Sequence, residues 1–373
     1  MPRARKESEG APAPPGFTRR VQRTGSSSLS ITLPKAWTDS MNLQTGDTLR
    51  FRDLGEGRLE VSPVRSEVPS DRRQKLLRID ATGAPPKLLA RLLVGAYITG
   101  QDQIVVTART GLTNEQRQEV RRTVGHVLGM TVVEESGSVE VQNFVDPGKY
   151  QFQRLMSQVV RILRTEIEIC RAVLKGAGRA ALQPLGAMED EIDRFYLLMV
   201  RQLLLSSDDF QIARDIGVES HHYQIGYRLV AKVLEVTGDL TSGVARELGE
   251  NLVGLRRLPK NAIAELDGLL ERTDSLLERT MEAFGNLSVV DANAILNDLE
   301  QEIAASSSLG DALARRTADR RVAVAAQRVL SNLWMTLEML VIVNEVTINR
   351  SVEPETVART DRTVSMNSRE TRG

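Results

Sequence analysis

Residues 225 to 248 read IGYRLVAKVLEVTGDLTSGVAREL, and apolar side chains recur in this stretch at spacings of four and three. Such spacing places the apolar residues on one face of an α-helix. The members of this stripe are Ile225, Leu229, Val233, Val236, Leu240, Val244 and Leu248. The stretch therefore predicts a long helix that packs its apolar face inside a helical bundle.

Further helices are predicted on both sides of this stretch. Nine of the 13 prolines stand at or before Pro86, and only Pro184 and Pro259 occur between Pro147 and Pro354. Since proline in a helix interior removes a hydrogen bond and clashes with the preceding turn, the second half predicts long helices. Their expected ranges are 155–176, 185–204, 219–255, 262–284, 292–305 and 312–349. Two groups of three helices, in residues 150–256 and 258–350, predict two tandem three-helix bundles that arose by internal duplication.

A smaller unit precedes these helices. Residues 72–146 show the order β-α-β-α-β-β, with strands expected at 76–79, 104–106, 131–133 and 139–141. The two helices are expected at 86–98 and 113–128, and Thr113 is a suitable N-cap for the second. The pattern predicts a small α+β connector whose role is structural.

The N-terminal region shows strand signals instead. In residues 28–33, apolar residues alternate with hydroxyls, as a half-buried strand requires. Pro34 then opens a short predicted helix at 35–40, and apolar residues follow on both sides of the glycine-rich hairpin 54–57. Because residues 17–64 contain few large side chains, their core would be marginal alone, which predicts a homodimer or a higher oligomer. The ends, residues 1–16 and 351–373, are polar and predict disordered tails.

Composition excludes several classes of protein. Lys plus Arg (49) equals Asp plus Glu (49), so any nucleic-acid surface must be a local one. The single Cys170 excludes an intramolecular disulfide and fits a reducing compartment. No signal peptide and no apolar run of roughly 18 residues is present, which predicts a cytoplasmic protein without membrane insertion. No nucleotide-binding or nucleophile motif stands in a suitable context, so we expect no enzymatic activity.

The first candidate site is basic. Residues 17–37 contain no acid, and they carry four cations: Arg19, Arg20, Arg23 and Lys35. Arg50 and Arg52 flank Phe51 farther along the chain. Guanidinium groups bind phosphate backbones well, and a twofold dimer would double the contact surface. The pattern indicates a DNA-binding surface, with an ordinary solvated strand edge as the alternative.

The second candidate site is acidic. Glu189 and Asp193 stand four residues apart in one predicted helix, and Glu235 and Asp239 repeat that spacing in the next. Like charges at this spacing are mildly unfavourable unless a cation neutralises them. Packed together, the two helices would offer four carboxylates to Mg²⁺, Ca²⁺, Mn²⁺ or ferric iron. The alternative is a solvated helix edge paired with nearby lysine or arginine residues.

The N-terminal region resembles the SpoVT–AbrB family. The resemblance lies in three ordered segments, at residues 20–28, 31–37 and 43–47. It implies an intertwined, swapped dimeric β-barrel that binds DNA through basic residues. The implied contacts are Arg19, Arg20, Arg23 and Lys35, followed by Arg50 and Arg52. Some domains of this family only dimerise or act as antitoxins, so DNA is not the only implied partner.

The helical region resembles archaeal PhoU-type phosphate uptake regulators. The resemblance lies in residues 189–198, 201–203 and 227–239. It implies negative regulation of phosphate uptake and signalling, and iron, manganese, magnesium or zinc bound by Glu189, Asp193, Glu235 and Asp239. The sequence departs from the family where Val236 and Leu240 replace the usual arginine and histidine. In the second repeat, Ala304 stands where an acid would be needed and only Glu338 remains in the last helix, so no metal site is expected there.

Together these observations predict a multidomain, mainly α protein. It would consist of an AbrB-like β-barrel, an α+β connector and two PhoU-like three-helix bundles. The predicted function is regulation of phosphate homeostasis, with DNA bound by the N-terminal domain and metal or a protein partner sensed by the bundles. One alternative is an adaptor that binds no DNA and docks a phosphate ABC transporter ATPase or a signalling kinase. A carboxylate-metal hydrolase is less favoured because no general base or nucleophile is apparent beyond the acids.

Overall fold

The computed structural model describes residues 18–25, 27–55, 58–64, 75–135, 137–218 and 221–352. The chain divides into two units, residues 1–73 and residues 74–373. The predicted tail at residues 1–16 and most of the tail predicted at 351–373 lie outside the described residues.

The described part of the N-terminal unit consists of two hairpins and a short helix. Strand β1 (Gln22–Thr24) pairs antiparallel with β2 (Ser28–Ser30), and helix α1 (Lys35–Ser40) follows. Strands β3 (Leu49–Gly55) and β4 (Arg58–Pro63) form the second hairpin. The predicted helix is confirmed, whereas the strand predicted to reach residue 33 ends at residue 30, where ladder pairing stops.

In a single chain, the described residues of this unit form no hydrophobic core. None of the described side chains between residues 18 and 64 is buried. Phe51 is 57% exposed although it pairs with Val61 across the hairpin, and Leu29 is 72% exposed. Among the described residues the strands form two separate two-stranded sheets, so one chain does not close the predicted barrel.

The second unit begins with the connector, whose predicted element order is confirmed. Its elements are β5 (Leu76–Asp80), α2 (Leu88–Ile98), β6 (Gln103–Thr107), α3 (Asn114–Gly125), β7 (Met130–Glu134) and β8 (Ser138–Asn143). The sheet order is β5-β6-β8-β7, and only β5 and β6 are parallel. Thr113 caps α3 as predicted, because its hydroxyl accepts the Gln116 N–H while the Gln116 side chain accepts the Thr113 N–H.

Within the described residues, seven α-helices follow the connector. They are α4 (Phe152–Lys175), α5 (Leu185–Asp208), α6 (Phe210–Asp215), α7 (His221–Leu255), α8 (Lys260–Asn286), α9 (Val289–Arg316) and α10 (Arg320–Ser351). The short α6 was not predicted. The predicted start of the last helix at residue 312 is wrong, because α9 continues to Arg316 and the Asp319 carboxylate caps α10 by accepting the Arg321 N–H.

The helices share one continuous core instead of two separate ones. Buried apolar side chains from α4 through α10 form a single cluster. Glycines of α7 allow a close approach to α10: a Cβ on Gly254 would lie 2.6 Å from Val322 Cγ2. Ion pairs join α4 to α8, with Arg164 Nε 2.8 Å from an Asp274 oxygen. The two groups of three helices are therefore packed as one body.

The stripe from residue 225 to 248 is buried over only part of its length. Leu240, Val244 and Leu248 are buried, but Ile225 is 74% exposed and Leu229 is 44% exposed. At this end of α7, Tyr227 and Val230 face the core instead. The prediction of one uninterrupted buried face is wrong at this end of the helix.

One helix among the described residues, α10, is long and apolar enough to meet the length and composition criteria for a membrane span. Half of that apolar stretch is buried against the other helices.

Candidate nucleic-acid interface and acidic cluster

The predicted basic residues of the N-terminal unit are all exposed where they are described. Arg19 and Arg20 lie in the segment before β1, which has no regular secondary structure, and Arg23 lies in β1 opposite Leu29. Lys35 is the first residue of α1, and Arg50 lies in β3. Gly25 adopts φ 79° in the tight turn between β1 and β2, a conformation that glycine takes without steric cost.

The second hairpin separates apolar from basic residues. Successive strand residues point to opposite faces of a sheet. Phe51 and its cross-strand partner Val61 therefore share one face, and Arg50 lies on the other opposite Ser62. The backbone of Arg52 pairs with that of Glu60, but its side chain lies outside the described set.

In the second unit, the structure brings the two predicted acidic pairs together. Burial, together with the nearby negative charges of Glu235, Asp239 and Glu189, raises the pKa of Asp193 to about 6. We call these four residues the acidic cluster. Gly238 allows the close crossing, because a Cβ there would lie 3.1 Å from Ile192 Cδ1.

Basic neighbours neutralise only part of the acidic cluster. Lys232 donates a hydrogen bond to Glu235, and its ammonium lies 5.3 Å from the centre of the Tyr196 ring. Outside the cluster, Asp190 lies 3.5 Å from His126 Nδ1. For Glu235, the structure therefore agrees with the alternative interpretation, in which an acid at the helix edge pairs with a nearby lysine.

Sequence reasoning missed Glu166 on α4. Its side chain is fully buried, and neither carboxylate oxygen has a hydrogen-bond partner among the described residues. Burial and, to a smaller extent, the negative charge of Glu189 together raise its pKa to about 8. The sequence signal that could have identified Glu166 as buried is its position on the apolar face of the helix, between Leu163 and Cys170, which are both buried.

The acidic cluster supplies oxygen donors but not a finished metal site. No three carboxylate, imidazole or thiol groups within the described ranges converge closely enough to hold a metal ion. A hard cation would suit these donors chemically. Binding one would require the carboxylates of α5 and α7 to move toward one another.

Comparison with known proteins bears on the N-terminal unit alone. Residues 22–69 match the family model described as antidote-toxin recognition MazE, bacterial antitoxin. The match supports an AbrB-like N-terminal domain and points to a DNA-binding or antitoxin-type regulatory role. It does not extend to the helices, whose resemblance to phosphate regulators gains no support from it. No curated protein and no solved structure matches the chain.

Proposed function

We propose that the protein is a DNA-binding regulator whose N-terminal unit acts as a homodimer. The observation that carries this proposal is the two-sided character of the unit: exposed cations such as Arg50 lie on one side of a hairpin, and exposed apolar residues such as Phe51 lie on the other. The match to an antitoxin family supports the same regulatory class.

Dimerisation follows from the uncovered apolar surface. Large apolar residues of this unit are more than one-third exposed: Val21, Leu29, Ile31, Met41, Phe51, Leu59 and Val64. Water contact with such side chains is unfavourable, and a unit this small cannot fold back far enough to cover them. A second copy of the same unit would provide the missing half of the core.

DNA contact would come from the cations that this dimer leaves in solvent. Arg19, Arg20 and Arg23 precede or occupy β1, and two copies would present six guanidinium groups. Contacts of arginine with phosphate make affinity fall as salt rises, because binding releases condensed counterions.

Fluorescence anisotropy of the full-length protein with its own upstream DNA, across salt concentrations, tests this function. The variant carries Arg19→Gln, Arg20→Gln and Arg23→Gln. The control variant also replaces three exposed arginines, but in the second unit: Arg91→Gln, Arg154→Gln and Arg257→Gln. We expect the logarithmic salt slope to shrink by about 0.9 for each lost phosphate contact in the variant only. If the wild type binds no DNA, or if the variant and wild type share one slope, the proposal is wrong.

An adaptor function is the second candidate, and the family description favours it because antitoxins bind proteins. In this case the N-terminal unit only dimerises or docks a protein, such as a transporter ATPase or a signalling kinase. A folded dimer that fails to bind DNA would favour this candidate. A third hypothesis, a carboxylate-metal hydrolase, would be excluded if the purified protein had no phosphatase activity with added Mn²⁺ or Mg²⁺.

For the helices, we propose metal sensing in the regulation of phosphate homeostasis in the cytoplasm. The resemblance of residues 189–198, 201–203 and 227–239 to PhoU-type regulators supports the phosphate part, and the acidic cluster supports the metal part. Calorimetric titration with Mn²⁺ and with ferric citrate tests it. Asp193→Asn should weaken binding about tenfold, whereas Glu191→Gln, an exposed neighbour on the same helix, should not. Equal affinity of wild type and Asp193→Asn would exclude the acidic cluster as the site.

A further inference from the structure

The sheet of the connector has one covered and one uncovered face. Helices α2 and α3 share a buried apolar cluster with the first face, whereas no described residue on the second face is buried. This open face nevertheless carries large apolar side chains: Leu76 is 44% exposed and Val133 is 41% exposed. Phe144, whose N–H extends the β8 pairing to the Gly129 carbonyl, is 71% exposed. Because a sheet face that stays in water is ordinarily polar, these residues indicate a surface that a partner covers.

The charged residues of the open face lie in a definite order. Strands β5 and β8 flank β6, and their pairing places Arg78, Val105 and Glu140 side by side in one row. The Arg78 guanidinium has no hydrogen-bond or ion-pair partner among the described residues. Glu140 accepts hydrogen bonds from the amides of Gln103 and Gln142, which leave its charge in place. The row therefore reads cation, apolar residue, anion across the three strands.

This order is self-complementary. A twofold rotation about an axis along β6 exchanges the positions of β5 and β8 between two copies of the sheet. Arg78 of one copy then faces Glu140 of the other, and Val105 faces its own counterpart on the axis. In the row that pairs Asp80, Thr107 and Ser138, the Asp80 carboxylate faces a hydroxyl that can donate to it. A contact between identical copies requires such a match of one patch with itself.

We propose that a second copy of the connector packs on this face, sheet against sheet, about a twofold axis along β6. Strands lie about 4.8 Å apart and outward residues about 6.8 Å apart, so three strands and three rows cover about 300 Å² on each copy. A stable complex buries about 800 Å² on each partner, so this contact needs another one that holds the two chains together. The inference therefore rests on the proposed homodimer of the N-terminal unit.

The direction of the chain supports this axis. A twofold axis along β6 leaves both copies of β5 beginning at the same end of the packed sheets. Strand β4 ends at Pro63 and β5 begins at Leu76, so a dimer of N-terminal units holds two connectors at a high effective concentration. An axis across the strands would place β5 opposite β5 and bring Arg78 toward its own counterpart, which like charges oppose.

Crosslinking of the full-length protein with a short bis-maleimide tests the contact. Val105→Cys places a thiol on the axis, and the wild type gives the background of Cys170, which is buried. Val133→Cys is the matched control on the same face, because β7 lies two strands from β6 and its two thiols would stand about 20 Å apart. We expect about tenfold more crosslinked dimer from Val105→Cys than from Val133→Cys.

Exchange of the two charges tests the register. In the Val105→Cys background, Arg78→Glu places acids opposite each other and should lower the yield of crosslinked dimer about fivefold. Adding Glu140→Arg restores opposite charges and should restore the yield. Loss of yield without this rescue would overturn the register, because damage to the fold by Arg78→Glu would not be repaired by a second charged substitution.

Light-scattering chromatography separates this proposal from the proposed function. If the protein is a dimer and Val105→Cys crosslinks no better than Val133→Cys, the contact between connectors is wrong and the N-terminal homodimer stands. A monomeric wild type would overturn the homodimer and this contact with it. A Val105→Cys thiol that neither crosslinks nor reacts with a small maleimide would show that another part of the chain covers the face, which also overturns the proposal.

Discussion

Replacing Glu166 by glutamine should stabilise the helical unit, by an amount that grows with pH. The pKa of the buried carboxyl is about 8 in the folded protein against an ordinary value of 4.5. In the unfolded chain the group ionises near its ordinary pKa, so between about pH 4.5 and pH 8 folding takes up a proton. Stability from this group is therefore fully present below pH 4.5 and is lost as the pH rises toward 8.

The magnitude follows from the difference between the two pKa values. Each pKa unit of difference corresponds to about 1.36 kcal/mol. The ionisable carboxyl therefore lowers the free energy of unfolding by about 3 kcal/mol at pH 7 and by about 5 kcal/mol above pH 8. Glutamine has nearly the same shape and does not ionise, so its contribution to the free energy of unfolding does not change over this pH range. Glu166→Gln should therefore equal the wild type near pH 4 and exceed its stability by about 3 kcal/mol at pH 7.

Urea unfolding measured by far-ultraviolet circular dichroism at pH 4.5, 7 and 9, with chelator present, gives the comparison. The signal reports mainly on the helices of the second unit. Glu168→Gln, which removes an exposed carboxylate from the same helix, is the matched control and should follow the wild type at every pH. A Glu166→Gln variant whose advantage does not change between pH 4.5 and 9 would refute the reasoning.

Three further predictions concern packing. Gly254→Ala should destabilise the second unit by about 1–3 kcal/mol, because its Cβ would lie 2.6 Å from Val322 Cγ2; Gly285→Ala, which meets open space, should not lower the melting temperature. Phe51→Ser should convert the dimer into a monomer in light-scattering chromatography, because it removes an exposed anchor of the proposed interface. Arg201→Met should lower the free energy of unfolding by about 3 kcal/mol, because the buried guanidinium donates to carbonyl oxygens of the connector.

Each of these expectations has a clear contrary result. Equal stability of Gly254→Ala and Gly285→Ala would show that α7 and α10 separate at little cost. A dimeric Phe51→Ser variant would place the dimer contact elsewhere. An Arg201→Met variant as stable as the wild type would show that the connector carbonyls find other donors.

The sequence predicted the parts of the fold that depend on neighbouring residues. Helix α1 occupies residues 35–40 as expected because Pro34 restricts the backbone before it, and α3 begins after Thr113 because that residue forms a capping box. The order of strands and helices in the connector was also correct, since each element carries its own periodicity. The start of α10 was misplaced because apolar periodicity continues across the Asp319 cap.

For the candidate sites as well, the sequence determined some features and the tertiary structure determined others. The sequence by itself determined which residues carry charge, their spacing along each helix and the AbrB-like character of residues 22–69. Only the tertiary structure decided that Glu189, Asp193, Glu235 and Asp239 lie together, that Glu166 is buried beside them and that Ile225 is exposed. Spacing fixes the face on which a side chain lies, but burial depends on which distant helix packs against that face. Gly238 makes the difference concrete: a Cβ there would lie 3.1 Å from Ile192 Cδ1, so glycine favours the close crossing that brings the acids together.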